Sequence, residues 1–243
     1  MINLIFHENN FDAEWAYESL RNILTPDKQV LVFPLFFNEE WSEDLENFEH
    51  RYRKGSRAYE KIAAPFRNYL FKDDHLHFLN LNQEDAQSLK TKIANTDILY
   101  LIGNNPVTMM EVIEDYGLQK TLLEYDGIVI GNAAGSTVMM DEFLPDEEWD
   151  REKKPGIGYL RGFMLDAGYE EDAYHLQKII RSLQEEGKAV FGCPKNGGIL
   201  IQDGHYELLG DAFAADDNDL DNIYHAYEDA RSRLEYYGDN GNW

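Results

Sequence analysis

The segment Asp126-Gly-Ile-Val-Ile-Gly-Asn-Ala-Ala-Gly-Ser-Thr137 constrains the fold more than any other stretch of this chain. It reads as a buried strand that turns sharply into a helix with Ala133 at the tip. Such a turn is tight and strained, so its neighbours must be small, and Gly131, Ala134 and Gly135 meet that demand. In hydrolases built on a strand–turn–helix elbow the tip residue carries the nucleophile. Here the tip is alanine, whose methyl group has nothing with which to attack.

The rest of the pattern gives this elbow a setting. Short apolar runs alternate with stretches of helical spacing, which is the signature of βαβ units and a mostly parallel open sheet with helices on both faces. The expected strands are Ile2–Phe6, Val30–Phe37, Leu76–Leu81, Asp97–Ile102 and Gly127–Gly131. Pro34 is the one residue at odds with a central strand. Helical spacing covers Asp12–Leu24, a long stretch from a Ser42 cap to Leu70 that breaks or kinks near Gly55 and Pro65, about Glu84–Ala94, and Val107–Tyr116. Pro106 suits the first position of that last helix and Gly117 its end.

Beyond Glu142 the pattern loosens into a charged loop over Phe143–Pro155 and a strand over Gly158–Leu165. A helix over Tyr174–Glu186 stopped by Gly187 and a strand over Ala189–Cys193 follow. Ile199–Gln202 and His205–Leu209, joined by Asp203-Gly204, make a hairpin, because Asp-Gly suits a type I′ turn. An amphipathic helix from about Leu220 to Tyr237 ends the chain. The whole reads as one α/β domain over 1–243, with 211–243 as an acidic helical extension of it.

Composition removes several function classes. The 46 acidic residues outnumber the 22 basic ones, for a formal charge of −24. A polyanion is repelled at every approach, which excludes nucleic acid as the expected partner. No apolar run approaches a membrane span and the N-terminus lacks a basic signal region, so a cytoplasmic protein is expected. The lone Cys193 rules out an internal disulfide and a multi-cysteine zinc site.

At two turns the residues carry a family likeness. Gly103-Asn-Asn-Pro106 at a strand end, followed by the elbow Gly131-Asn-Ala-Ala-Gly-Ser136, resembles the aspartyl dipeptidase (peptidase E) family and relatives such as cyanophycinase, over about residues 1–210. The resemblance implies a class I glutamine amidotransferase-like, or flavodoxin-like, fold. In that family the first turn is Gly-Gly-Asn-Thr or Gly-Gly-Asn-Pro and the elbow is Gly-x-Ser-Ala-Gly-Ala. The elbow serine attacks a peptide carbonyl, a histidine takes its proton, and backbone N–H groups hold the oxyanion.

On that mapping Ala133 stands at the nucleophile position. Gly103, Asn104, Asn105 and Ala134 supply the oxyanion and binding residues, and His175 is the candidate base. Asp146, Glu147, Glu148 and Asp172 are the candidate acids to orient His175, which also reads as an ordinary histidine at a helix start. Asn104 replaces a family glycine. Ser136 and Cys193 are the substitute nucleophiles, the first a helical turn past the tip and the second at the end of a buried strand.

The resemblance implies a peptidase-like protein with weak or no peptide hydrolysis. Alternatively, it acts by binding a short peptide or small molecule, or Ala133 is a substitution made in an active serine peptidase to trap a complex. Asn104 speaks against the last, because disabling the serine would not call for a changed oxyanion turn. No cofactor or metal is expected. Asp217-Asn-Asp-Leu-Asp221 with Glu228 matches part of a calcium loop, but Asn222 replaces its glycine, and helix capping by Asp219 or Asp221 explains the run more simply. Tyr236, Tyr237 and Trp243 suit a tail docked on its own domain or on a second subunit of a homodimer.

Overall fold

The computed structural model describes residues 1–35, 45–81, 83–145 and 152–239. A seven-stranded sheet forms its centre, built from β1 (Ile2–Phe6), β2 (Val30–Leu35), β3 (Leu76–Phe78), β4 (Ile98–Gly103), β5 (Ile128–Ala133) and the later hairpin strands β10 (Gly197–Gln202) and β11 (His205–Gly210). Their order is β11-β10-β1-β5-β4-β2-β3. The five strands from β1 to β3 run parallel, and β10 and β11 are antiparallel.

Both faces of this sheet are covered, which is why its central strands are mostly apolar, with Asn3 and Asn132 as buried polar exceptions. On β4, Ile98, Tyr100 and Ile102 pack with Phe11, Leu20 and Phe66 on one side. Leu99 and Leu101 pack with Leu89, Met109 and Met139 on the other. The first layer is made by α1 (Glu14–Leu20), α2 (Leu45–Tyr52) and α3 (Arg57–Asn68); the second by α4 (Ala86–Ala94), α5 (Pro106–Asp115), α6 (Gln119–Leu123) and the short α7 (Ala134–Thr137). This is the expected flavodoxin-like, glutamine amidotransferase-like α/β architecture. No helix among the described residues is long and apolar enough to cross a membrane.

Two prolines sit where the ladder can spare a donor. β2 pairs with β3 only over Val30–Val32, so Pro34 lies beyond that pairing. Pro65 lies inside α3, which runs on to Asn68 without a break. A proline there leaves the carbonyl four residues back, that of Lys61, without its helical donor. The Asn9 amide donates to that carbonyl instead, tying the end of β1 to α3. The expected break falls at Gly55, whose φ of 87° separates α2 from α3. The Ser42 cap lies outside the described residues.

The strand expected over Gly158–Leu165 shrinks to β8 (Met164–Asp166), because Gly158 and Gly162 both take positive φ and turn the chain. Short β6 (Glu142–Phe143) and β7 (Lys154–Pro155) pair in the loop before it. β8 joins β9 (Val190–Gly192) and β12 (Phe213–Ala215) in a second small sheet. Against it lie α8 (Ala173–Arg181) and α9 (Leu220–Asp239), through Ile179, Leu183, Leu220 and Ile223. A π-helical turn extends α8 to Glu186 and ends, as expected, at Gly187, which is left-handed. Asp203 and Gly204 both take positive φ in the β10–β11 turn, as type I′ requires.

The Asp217–Glu228 run holds no metal-binding group of His, Cys, Asp and Glu among the described residues. The cap before α9 is Asp216, whose side chain accepts from Asn218 N–H while Asp219 reaches back to the Asp216 N–H. Capping thus starts at Asp216, with Asp219 as the second partner of the capping box, and not at Asp221. Trp243 lies outside the described residues, and so do the side chains of Tyr236 and Tyr237.

Candidate active site

The carboxyl ends of β1, β5 and β4 lie side by side, with Phe6 opposite Asn132 and Gly103 opposite Ala133. This register brings His7, Ala133 and Asn104 to one edge of the sheet, the edge where open α/β folds hold ligands. The Asn132 amide donates to the His7 carbonyl at 3.2 Å, fixing β1 and β5 beside the turn.

Ala133 has φ 50° and ψ −119°. For a residue with a Cβ this region costs about 1–3 kcal/mol and persists only where the surroundings impose it. Here they do so by close packing. A Cβ on Gly135 would come within 2.0 Å of the Leu101 carbonyl oxygen, and one on Gly131 within 2.6 Å of Ser136 Cα. Ser136 pins the start of α7 to β1: its Oγ donates to Phe6 O at 2.8 Å and accepts from Phe6 N–H at 3.3 Å.

These bonds engage the Ser136 hydroxyl in a fully buried position, away from the cavity edge. Cys193 is equally buried, with its thiol directed at Gly197 O (3.3 Å) and Ile5 O. Burial pushes that thiol up to about 12, so it holds no thiolate at neutral pH.

The preceding turn divides its labour. Gly103 must be glycine, since a Cβ there would lie 2.4 Å from Leu35 O. Asn104 faces the cavities. It needs no glycine-like backbone, because Leu70, Ala133 and Asp203 are the non-glycine residues with positive φ among those described. Asn105 serves the helix instead: its side chain caps α5 by accepting from Thr108 N–H at 3.1 Å, and Pro106 takes the first helical position. Ala134 opens α7 and lines the cavity.

Ala133, His7 and Asn104 separate two cavities. The first, of about 360 Å³, lies between the elbow and the small sheet and includes His175, Asp166 and Lys178 in its wall. Asp172, one of the proposed orienting acids, is the N-cap of α8 and accepts from the His175 backbone N–H at 2.9 Å. The ring goes elsewhere. His175 Nδ1 lies 2.7 Å from Asp166 Oδ2, and Lys178 Nζ lies 3.6 Å from the other oxygen. Asp146, Glu147 and Glu148 fall outside the described residues.

Asp166, which the sequence reading does not single out, is a carboxylate at the carboxyl end of the strand expected over Gly158–Leu165. His7, likewise not singled out, follows the strand expected over Ile2–Phe6. Its ring lies so close to Gly168 that a Cβ there would meet Cε1 at 3.2 Å.

Burial favours the neutral ring of His175, and the hydrogen bond and charge of Asp166 more than offset it, leaving the His175 pKa raised. A raised folded-state value means that the pair's stabilisation is complete below the unfolded value of about 6.5 and fades as pH climbs through the folded one. His175→Gln is therefore expected to cost about 1–2 kcal/mol at pH 5.5 and distinctly less at pH 9. Urea unfolding at the two pH values measures this, and an equal loss at both would remove the ion pair from the account.

At the outer rim of the first cavity Glu142 accepts from both Lys188 and Lys153, and Lys153 also bonds Glu186. The two lysine bonds hold the Glu142 carboxyl below its usual range.

Comparison with known proteins agrees with this fold. Two solved structures share the fold at low identity. One is a peptidase from an acI-B1 Actinobacterium, with TM-score 0.58 and 11% identity, matching 88% of this chain and 93% of that one. The other is a putative peptidase E protein from Listeria monocytogenes EGD-e, with TM-score 0.59 and 14% identity, matching 85% and 96%. No curated protein matches the chain. The sequence model of peptidase family S51 matches residues 54–205, a span that includes the Gly103 turn, the elbow, Asp166 and His175, and by that match the chain belongs to peptidase family S51.

Proposed function

We propose that this protein keeps the binding site of its peptidase family but has lost peptide hydrolysis, so that it receives a short peptide or small molecule without cleaving it. The observation that carries this reading is Ala133, held in a strained positive-φ conformation that serves to present a nucleophile but ending in a methyl group. Removal of a triad nucleophile lowers turnover by on the order of 10⁶. The two candidate replacements, Ser136 and Cys193, have their reactive atoms turned inward to backbone carbonyls.

The persistence of a cavity of about 360 Å³ beside Ala133, with its polar wall of His175, Asp166 and Asn104, supports binding as the remaining activity. Such a site discriminates by hydrogen bonds and shape. A selective ligand should raise the unfolding temperature, and the rise should continue with the logarithm of ligand concentration above the Kd.

The unaltered protein is expected to show no hydrolysis of Asp-Xaa dipeptides or activated acyl esters, and no labelling by a fluorophosphonate. Incubation with each, followed by intact-mass measurement, is the test. Turnover that disappears in Ser136→Ala or Cys193→Ser would overturn the reading by locating a displaced nucleophile.

A further inference from the structure

The second cavity, of about 980 Å³, lies on the other side of Ala133, between the strand ends and the α2–α3 pair. Its charge is opposite to that of the chain as a whole. Arg51, Arg53, Arg57 and Lys61 line it together with His50, and Glu8 is the carboxylate among its lining residues. Four of the 22 basic residues thus share one cleft in a protein of net charge −24.

Nearby cations are neutralised within the protein. Lys54 and Arg67 both bond Asp73, and Arg67 also bonds Glu60. Arg53, Arg57 and Lys61 differ: among the described residues none of the three has a carboxylate within ion-pair distance. Arg57 and Lys61 are one helical turn apart on α3, a spacing at which like charges repel and weaken a helix. The cleft wall itself is braced by the Asn9 bond to Lys61 O and by the Ser56 cap of α3, which accepts from Tyr59 N–H.

We infer that this cleft binds a compact polyanion carrying several phosphoryl groups. The charge count selects this class. A dipeptide pairs its one or two carboxylates with an ammonium group, so its net charge answers at most one of Arg53, Arg57 and Lys61. A chain of two or three phosphoryl groups brings three to five negative charges in a few ångströms, with oxygens that guanidinium groups engage in pairs. The inference goes beyond the peptide-binding reading above and uses a different cavity. Ala133 is the shared wall, so a ligand seated on the cations would extend to the elbow.

The probe is inorganic tripolyphosphate, titrated calorimetrically into the full chain in metal-free buffer of low ionic strength. Saturable one-to-one binding is expected, weakening as salt is added. Citrate at the same ionic strength should bind at least tenfold more weakly. Arg57→Gln with Lys61→Gln, both at exposed positions, should lower the affinity tenfold or more, and Arg53→Gln, outside the helix, should do so independently. Lys120→Gln, on α6 away from the cleft, should leave the affinity unchanged.

No binding, binding indifferent to the Arg53 and Arg57/Lys61 changes, or citrate binding as tightly would each overturn the inference. The readout needs no hydrolysis and no fluorophosphonate labelling, so its failure is distinct from failure of the catalytic reading.

Discussion

Ala133→Ser is expected to become covalently labelled by a fluorophosphonate, where the unaltered protein is inert. The elbow already holds residue 133 at φ 50° and ψ −119°, so a serine introduced there inherits the presented geometry without rearranging the backbone. Close packing of Gly131 and Gly135 against their neighbours keeps the turn in place. The cavity that receives the new hydroxyl also contains His175, oriented by Asp166 at 2.7 Å, which is the base–orienter relation that activates a serine.

Addition of His175→Gln to the serine variant should reduce the labelling rate by about 10²–10⁴, the usual contribution of a general base. His7→Gln should have a much smaller effect. Stopped samples analysed by intact mass give both rates. If Ala133→Ser stays unlabelled, the loss of catalysis extends beyond the missing nucleophile. A rate that falls only with His7→Gln transfers the base role to the end of β1.

Gly135→Ala is expected to destabilise the protein by about 4 kcal/mol. Its Cβ would lie 2.0 Å from the Leu101 carbonyl oxygen and 2.5 Å from that carbonyl carbon. Both belong to β4, which pairs with β5 on one side and β2 on the other. Backbone in the centre of a sheet cannot yield by a rotamer change, so either the elbow withdraws from β4 or the sheet bends. In a protein of this size the loss corresponds to a fall in unfolding temperature of roughly 10 °C.

Gly187→Ala gives the contrast, since a Cβ there meets no atom within 4 Å and only the positive φ opposes it. That change should cost about 1 kcal/mol. Equal losses at the two positions would mean that contact with β4 does not set the elbow.

The elements that sequence resolves well are those with two covered faces or a steric rule of their own. β1 is legible from its apolar run despite the buried Asn3, and the β10–β11 hairpin from Asp203-Gly204. Pro106 and Gly117 bracketed α5 to within a residue. Gly158 and Gly162 do not announce the turn they make, because a glycine in an apolar run gives no sign of whether it will take positive φ. Pro65 looked like a helix breaker, since its remedy, a side-chain donor from Asn9, lies far away in the chain.

The candidate site divides along the same line. Sequence by itself determined the α/β class, the elbow, the glycines that permit it and the absence of a reactive atom at residue 133, because each depends on local sterics or on a short apolar period. Tertiary structure alone decided that His175 turns to Asp166 while Asp172 caps the helix. It also decided that His7 faces the same turn and that Arg53, Arg57 and Lys61 meet in one cleft beside Ala133. The approach of His7 and of the Arg53, Arg57 and Lys61 segment to Ala133 is set by strand order and helix docking, which join residues far apart in the chain. Charge and hydrogen bonding act through space, and no spacing along the sequence records them.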